Sequence, residues 1–385
     1  MNKLKKLSSQ GLPIALQSDN ENTLKAVKRK NLSNEKIDLA IKWASKNNIH
    51  TTTELLFGLP FETKNSFIES MKQIVHKGID SILCHNVFVL PGSEMSRPYY
   101  INKHNLKTKF RLLASNYTKI DDDFAVEYDE VVVGSNNFSF EDFLVIRQLN
   151  FMFYTVFALD FYKWFFQLLR LENIDIVKIF TYFMQPDRTK LWPQAYLNFL
   201  DDFNHAVKNE LFDTKEEVID FAKKCWEENG KSVGEPARIN VLFGARLIYM
   251  ESWVYDVMLK LSNLFIEDNN ILNKTKEILN ICQSERIDLK NNSSKKDVLC
   301  SYNLNEWKKM KFKKSIDYFY IGKHTVSFNI DTDSKEKISS FNNKFGNLKN
   351  LDYYYSAINV ISPRHKTLHN LKINFIDIYK EKNNE

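Results

Sequence analysis

Three polar residues near the start of the chain have side chains suited to holding a small polar molecule. Gln17 ends a short apolar run, Arg29 comes twelve residues later, and Glu54 lies within the next apolar run. An amide donates and accepts hydrogen bonds, a carboxylate accepts from two hydroxyls, and a guanidinium grips a carboxylate through its fork of N–H groups. Each residue also has a purely structural explanation. Gln17 fits a helix entry, Arg29 fits the end of a helix dipole, and Glu54 fits an ordinary strand-end charge.

The other residues with reactive or metal-binding side chains form no comparable group. One HxxxH spacing, His365 to His369, has no acidic residue near it before Asp377, and the acidic run at 121–123 is typical of a solvated loop. The chain contains no glycine-rich phosphate loop and no defensible serine–histidine–aspartate set. Its four cysteines lie far apart, without the CxxC or CxxxCxxC spacing of a metal site: Cys84, Cys225, Cys282 and Cys300.

The segments that must position the three polar residues alternate between strands and helices. The apolar runs 13–17, 50–57 and 81–90 are typical of buried strands, and amphipathic helical patterns separate them. This β-α-β-α-β order predicts a parallel sheet with crossover helices, and barrel enzymes place their sites at the carboxyl ends of such strands. Three strands cannot close a barrel. Either the later helices cover a small open sheet, or a half encoded elsewhere completes a barrel.

The rest of the chain is mixed, then helical, then mixed again. Residues 106–140 include one strand-like piece at 130–133, and a polar stretch at 291–296 is typical of a linker before a small α+β tail. The helical patterns between them predict helices over 140–171, 174–185, 192–209, 214–229 and 236–265. We therefore predict three domains, over residues 1–105, 106–285 and 300–385.

The order and loops of the first domain resemble the radical S-adenosylmethionine (SAM) superfamily. The resemblance covers roughly residues 10–100 and includes the loops GLPFE at 58–62 and LPGSE at 90–94. It is closest to the branch of the oxygen-independent coproporphyrinogen oxidases and the elongator catalytic subunit, with loops similar to those of cobalamin-binding members. It implies an α/β fold: a partial, half TIM-type barrel with parallel strands, followed by a mostly helical region and a small α+β tail.

The resemblance also implies roles for five residues. Gln17 and Arg29 match positions that contact SAM, and Glu54 matches the acidic residue that contacts the SAM ribose. Leu56 matches a backbone position that accepts a hydrogen bond from the adenine, and Phe88 lies in the stretch that flanks the adenine ring. In the complete parent, the resemblance implies a 4Fe–4S cluster that cleaves SAM reductively to a 5′-deoxyadenosyl radical, with cobalamin as a further candidate cofactor.

The chain departs from this family in two ways. The cluster-binding CxxxCxxC loop is absent, and so is the cobalamin domain that precedes the barrel in cobalamin-binding members. We therefore expect a C-terminal fragment or subunit that is inactive alone and whose barrel is completed by a separately encoded N-terminal half. The alternatives are a non-catalytic interaction subunit that completes a split barrel, and a membrane-associated helical protein based on residues 150–169. No motif identifies the substrate.

Charge and composition constrain the partners and the compartment. The net charge of +6 comes entirely from residues 301–385, which hold 15 Lys/Arg and 9 Asp/Glu. Because these lysines are interspersed with acids, we expect a solvated surface and no nucleic-acid partner. Asp160 and Lys163 make a membrane span at 150–169 costly, which favours a buried core helix. Few cysteines and no secretory signal indicate a cytoplasmic protein.

Overall fold

The protein is described by a computed structural model covering residues 11–16, 18–47, 49–229, 238–286, 288–290, 296–330, 332–361 and 373–378. The chain divides into two compact units. Unit 1 comprises Met1–Phe153 and Asn198–Asn240, and unit 2 comprises Tyr154–Leu197 and Val241–Glu385. The three-domain division expected from the sequence stays a prediction.

Unit 1 begins with a three-stranded parallel sheet in the order β1-β2-β3. The register pairs Leu12 with Thr51 in the first two strands, and runs from Thr52 opposite Ser81 to Phe57 opposite Asn86 in the second and third. The α/β arrangement expected from the sequence is thus confirmed as a parallel sheet with helical crossovers. Its elements are β1 (Leu12–Pro13), α1 (Glu21–Ala26), α2 (Asn34–Lys46), β2 (Thr51–Phe57), α3 (Lys64–Lys77) and β3 (Ser81–Asn86).

Helix α3 shows how the sequence sets these crossovers. Its N-cap, Thr63, accepts a hydrogen bond from the Ser66 backbone at 3.0 Å, and the Ser66 hydroxyl accepts one from the Thr63 backbone at 2.9 Å. Such a capping box contributes about 1 kcal/mol. The helix ends at Gly78, whose φ of 73° suits glycine. Its buried stripe includes Phe67 and Met71, as the periodicity predicts.

An antiparallel hairpin extends unit 1 beyond the parallel strands. The Val89 backbone donates to the Glu130 carbonyl at 2.8 Å, and the Val132 backbone donates to the Val87 carbonyl at 3.0 Å. The sequence indicated only a short strand at 130–133, whereas the hairpin is much longer. Its first strand alternates charged and apolar residues without a buried apolar run, so the sequence pattern did not predict a strand there. The elements here are α4 (Pro98–His104), β4 (Lys107–Ile120), β5 (Asp123–Gly134) and α5 (Phe140–Phe153).

Helices cover one face of the parallel sheet. Leu55, Phe57 and Ile82 are fully buried on this face. The Phe57 ring lies 5.1 Å from that of Phe67 in α3 and 4.6 Å from that of Phe138, just before α5. Helix α5 packs against both β3 and α3. This aromatic layer is the core that holds the sheet.

Unit 2 is mostly helical, with an antiparallel sheet in the order β6-β7-β8. Two expected helices, 140–171 and 236–265, are each broken in the structure. The first changes to a π-helix at Tyr154–Ala158 and stops before Asp160 and Tyr162, whose φ angles of 53° and 51° are left-handed. The second changes to a π-helix at Arg246–Met250 and breaks at Glu251, which is extended.

The remaining helices in chain order are α6 (Lys163–Leu171), α7 (Ile176–Met184), α8 (Gln194–Asn209), α9 (Lys215–Asn229), α10 (Ile239–Ala245), α11 (Val254–Phe265), α12 (Asn269–Ser284), α13 (Leu304–Lys309), α14 (Thr332–Phe345) and α15 (Asn350–Val360), and the strands are β6 (Lys296–Tyr302), β7 (Tyr320–Ile330) and β8 (Ile373–Ile378). Across the described ranges, no single helix is both long and apolar enough to cross a membrane. By length and composition alone, Phe140–Ala158 and Lys163–Leu171 would qualify together as one sharply bent pair.

Candidate functional site

The second face of the parallel sheet is open in unit 1. Paired residues of a parallel sheet share a face, so Glu54 lies beside Leu83, and Leu56 lies beside His85. Glu54 and His85 are exposed and the two leucines are half-buried, whereas Leu55 between them is fully buried on the helix side. Parallel sheets are normally covered on both faces. We call the surface formed by Glu54, Leu56, Leu83 and His85 the open face.

Strand β1 and the residues directly after it follow the same alternation. Ile14 and Leu16 are buried, whereas Pro13 and Ala15 are exposed. The Ile14 carbonyl accepts a hydrogen bond from the Thr53 hydroxyl at 2.7 Å, which fixes the first strand against the second on the covered side. The opposite side of this segment therefore carries the side chains of Pro13 and Ala15 next to the open face.

The loop that follows β1 is closed on itself. Asn31 donates from its side chain to the Ser18 carbonyl at 2.8 Å, which brings the end of the loop back to the sheet. Within it, Asn20 caps α1 by accepting from the Asn22 backbone at 3.0 Å. Arg29 follows α1, with its backbone bonded to the Leu24 carbonyl at 2.9 Å and its side chain exposed. This closure holds Arg29 near the carboxyl end of β1.

A buried carboxylate links this loop to the loop after β2. Glu62 is fully buried and accepts hydrogen bonds from the hydroxyls of Ser18 and Ser66. Burial raises the pKa of Glu62 above its ordinary value, and the two serine hydroxyls oppose that rise. Asn20 adds a bond from its side chain to the Phe61 carbonyl at 3.1 Å. The two loops are therefore fixed relative to each other.

The loop after β3 joins the first loop through an ion pair. Lys28 Nζ lies 2.9 Å from Glu94 Oε2, and the Tyr99 hydroxyl donates to the other oxygen of Glu94 at 2.8 Å. The bond from Lys28 lowers the pKa of Glu94. This ion pair is solvent-exposed, so it adds little stability. It shows that the loop after β1 and the loop after β3 lie side by side. We call the loops 18–31, 58–63 and 90–97 the loop rim.

Glycine is required where β2 enters the loop rim. Gly58 has a φ of 111°, a conformation that side-chain-bearing residues rarely adopt. A Cβ atom there would also lie 3.3 Å from the Cβ of Val87. The GLPFE loop thus turns sharply at the carboxyl end of β2, next to the segment that continues from β3.

The structure describes three of the polar and apolar residues singled out at the start of the chain. Glu54 and Leu56 lie on the open face, and Arg29 lies on the loop rim. Gln17 lies outside the described residues. That these residues contact SAM stays a prediction.

Phe88 lies on the segment between β3 and the hairpin. It is half-buried and paired with Val131, and the Arg111 guanidinium lies 5.3 Å from its ring centroid. Arg111 is held in turn by Asp129, at 2.7 Å. One face of the Phe88 ring is therefore already occupied by a cation, which leaves its other face and edges for any further contact.

His85 is a candidate that sequence reasoning missed. It lies one strand over and two positions along from the partner of Glu54, so the two polar side chains are diagonal neighbours on the open face. In the sequence, His85 stands inside an apolar run and has no metal-ligand spacing. Only the strand register, which pairs it with Leu56, places it beside Glu54.

The chain offers no residues that fit an iron–sulfur cluster in the parts that the structure describes. No group of three or more His, Cys, Asp or Glu side chains there could hold a metal ion. The acidic run at 121–123 forms the exposed turn of the β4–β5 hairpin, where Asp121 has a φ of 52°. His365 and His369 lie outside the described residues.

Comparison with known proteins gives a partial likeness. No protein-family model matches the chain. The chain is 27% identical over 123 residues to the cobalamin-dependent radical SAM methyltransferase TokK of Streptomyces tokunonensis. It is 29% identical over 123 residues to the 2-(S-pantetheinyl)-carbapenam-3-carboxylate methyltransferase of Streptantibioticus cattleyicolor. Each match covers 32% of this chain and only 18% of the relative. These matches support a relation to the radical SAM superfamily.

Proposed function

We propose that unit 1 supplies the C-terminal half of a radical SAM barrel, and that the open face is the interior of that barrel. The observation that carries this proposal is the one-sided burial of the parallel sheet: Leu55 is fully buried and Glu54 is exposed on the same strand. A barrel of parallel strands has helices outside and side chains inside. Half of such a barrel presents one covered face and one open face.

The residues of this chain hold the adenosyl and methionine parts of SAM in this proposal. The Glu54 carboxylate accepts the ribose hydroxyls, and the exposed Arg29 guanidinium holds the methionine carboxylate. Leu56 and Phe88 provide apolar and backbone contacts to the adenine, and Gln17 provides a further polar contact. When bound, SAM would supply a 5′-deoxyadenosyl radical through one-electron reduction and cleavage of its C5′–sulfur bond, with methionine as the other product.

The other cofactors belong to the N-terminal half of the barrel in this proposal. Since no described group of side chains in this chain fits a cluster, we assign the 4Fe–4S ligands to a separately encoded or preceding N-terminal half. One relative is described as cobalamin-dependent and both as methyltransferases, so we propose cobalamin-assisted methyl transfer for the complete protein. On this basis the chain alone is inactive, and the reaction needs both halves.

The second candidate function is a non-catalytic subunit. The same open face favours it, because an uncovered parallel sheet is a surface for another polypeptide whether or not SAM is present. In that case the open face contacts protein only, and Glu54 and Arg29 have no ligand.

Ligand binding by the isolated chain distinguishes the two functions. The probe is S-adenosylhomocysteine, measured by isothermal titration calorimetry on the wild-type chain and on the variants Glu54→Gln and Arg29→Gln. A hydrogen bond to a charged group contributes roughly 1.5–3 kcal/mol, so each variant is expected to weaken binding by about tenfold or more. The matched controls are Glu69→Gln, on an exposed position of α3, and Lys30→Gln, next to Arg29.

Two results would refute the SAM site. One is wild-type affinity in Glu54→Gln, and the other is no binding to the wild-type chain, which favours the non-catalytic subunit. Co-purification from the native cell then tests whether a separate chain supplies the N-terminal half of the barrel. We expect a partner that carries CxxxCxxC.

A further inference from the structure

The segment 304–323 of unit 2 is more basic than the rest of residues 301–385. It holds six lysines and only two acidic residues, Glu306 and Asp317. Both acids already have cationic partners: Glu306 lies 2.6 Å from Lys309, and Asp317 lies 2.6 Å from Lys274 of α12. Lys313 and Lys323, by contrast, are exposed and have no acidic partner within the described ranges. The segment therefore carries excess positive charge.

The inner side of this segment is anchored to the core of unit 2. Trp307 is fully buried and donates from its ring to the Lys314 carbonyl at 3.1 Å, which folds the loop 310–315 back over the end of α13. Arg170 of α6 donates to the Phe312 carbonyl at 3.1 Å. The rings of Trp307 and Phe312 lie 4.9 Å apart. The loop is thus held in one conformation by buried aromatic contacts.

The outer side exposes apolar and aromatic side chains beside the lysines. Tyr318 is 75% exposed, while Met310 and Ile321 are 43% and 45% exposed. Lys314 Nζ lies 5.0 Å from the centroid of the Tyr318 ring. We call this side the lysine–tyrosine surface, formed by Met310, Lys313, Lys314, Tyr318, Ile321 and Lys323; Ile321 and Lys323 share one face of β7.

We propose that the lysine–tyrosine surface docks the protein on an anionic phospholipid bilayer. Tyrosine places an apolar ring and a polar hydroxyl at a boundary between apolar and wet regions, and lysine keeps its charge in water above an apolar stem. Exposed Met310 and Ile321 enter the acyl boundary, while the lysines meet the lipid phosphates and carboxylates. The surface thus offers apolar side chains for insertion and positive charges for the lipid headgroups, and an anionic bilayer accommodates both.

The composition of the surface favours lipid over nucleic acid. Segment 304–323 contains no arginine, the residue that dominates stacking and bidentate contacts in nucleic-acid sites. Exposed aliphatic side chains such as Ile321 also have no partner on a phosphate backbone. This inference does not depend on the radical SAM proposal, because it concerns unit 2 alone.

Vesicle co-sedimentation of the full chain tests the proposal. The vesicles are mixed phosphatidylserine and phosphatidylcholine, with pure phosphatidylcholine as the comparison. Each lysine near an anionic surface contributes roughly a fivefold factor, so the double variant Lys313→Glu/Lys314→Glu is expected to weaken binding by at least about 25-fold. Tyr318→Ala/Ile321→Ala tests the apolar part and is expected to weaken binding without changing its salt dependence.

A control with the same change of net charge makes the test specific. Lys335 and Lys337 are exposed on α14, outside the surface, and Lys335→Glu/Lys337→Glu is expected to bind like the wild type. Equal binding to pure phosphatidylcholine, or equal loss in the control, would overturn the proposal. So would fluorescence anisotropy showing binding to single-stranded DNA that Lys313→Glu/Lys314→Glu abolishes, with no vesicle binding. Circular dichroism confirms that each variant is folded.

Discussion

Two adjacent leucines of β2 give the sharpest test of the one-sided sheet. Leu55 is fully buried on the helix side, and Leu56 is half-buried on the open face. Truncating each to alanine removes the same three carbon atoms from neighbouring positions of one strand. The two variants therefore differ in burial but not in chemistry, and each serves as the control for the other.

The expected magnitudes follow from the burial. Three fully buried carbons contribute about 2.4 kcal/mol of transfer free energy, and the cavity left by Leu55→Ala brings the loss to about 3 kcal/mol. Leu56→Ala loses about half of the transfer contribution and leaves no closed cavity, so the expected loss is about 1 kcal/mol. The difference of about 2 kcal/mol corresponds to roughly a 30-fold change in the unfolding equilibrium.

Urea denaturation followed by far-ultraviolet circular dichroism measures both losses, with the same slope expected for the two variants. If Leu56→Ala proves as destabilising as Leu55→Ala, the open face is packed in the isolated chain and the barrel-interior interpretation fails. In a complex with the proposed N-terminal half, the cost of Leu56→Ala is expected to rise toward that of Leu55→Ala.

Two further substitutions test the buried charged groups of unit 1. Burial raises the pKa of Glu62 above its ordinary 4.5, so the native state binds the proton more tightly than the unfolded chain. Its contribution is therefore fully present below about pH 4.5 and is lost as pH rises through the raised pKa. In urea denaturation across this range, the stability of Glu62→Gln relative to wild type is expected to rise with pH; a flat difference would contradict the assignment. Arg147 is buried between Glu210 at 3.2 Å and Asn240 at 2.6 Å. Arg147→Met is expected to cost about 3 kcal/mol by leaving the Glu210 charge unpaired, and a loss below 1 kcal/mol would refute that role.

The sequence predicted the parts of unit 1 whose signals are local. Apolar runs predicted the parallel strands, and amphipathic patterns predicted the helices between them, because periodicity depends on neighbouring residues. The long hairpin was missed because β4 is half-exposed and alternates charge with apolar residues, so its partner β5 stabilises it through pairing that periodicity does not report.

Neither the helix breaks nor the position of His85 beside Glu54 could be predicted without the three-dimensional structure. Asp160 and Tyr162 carry no glycine or proline signal, yet both adopt left-handed conformations that end the helical path after the π-helix. His85 became a site candidate only through its pairing with Leu56, since a shift of one residue would move it to the covered face. Residue types identify candidate chemistry, but strand register decides which candidates meet.

The charge on the open face limits what can cover it. Glu54 lies in the middle of β2, and a plain apolar helix layer over it would bury an unpaired carboxylate at a cost of several kcal/mol. A cover that supplies hydroxyl or N–H donors avoids that cost, and so does one that supplies a cation. Leu56 and Leu83 beside it favour removal from water at the same time. A surface that combines one carboxylate, one imidazole and two leucines is therefore suited to a polar ligand enclosed by protein. The open face therefore suits the proposed ligand-holding barrel interior better than a simple protein-packing face.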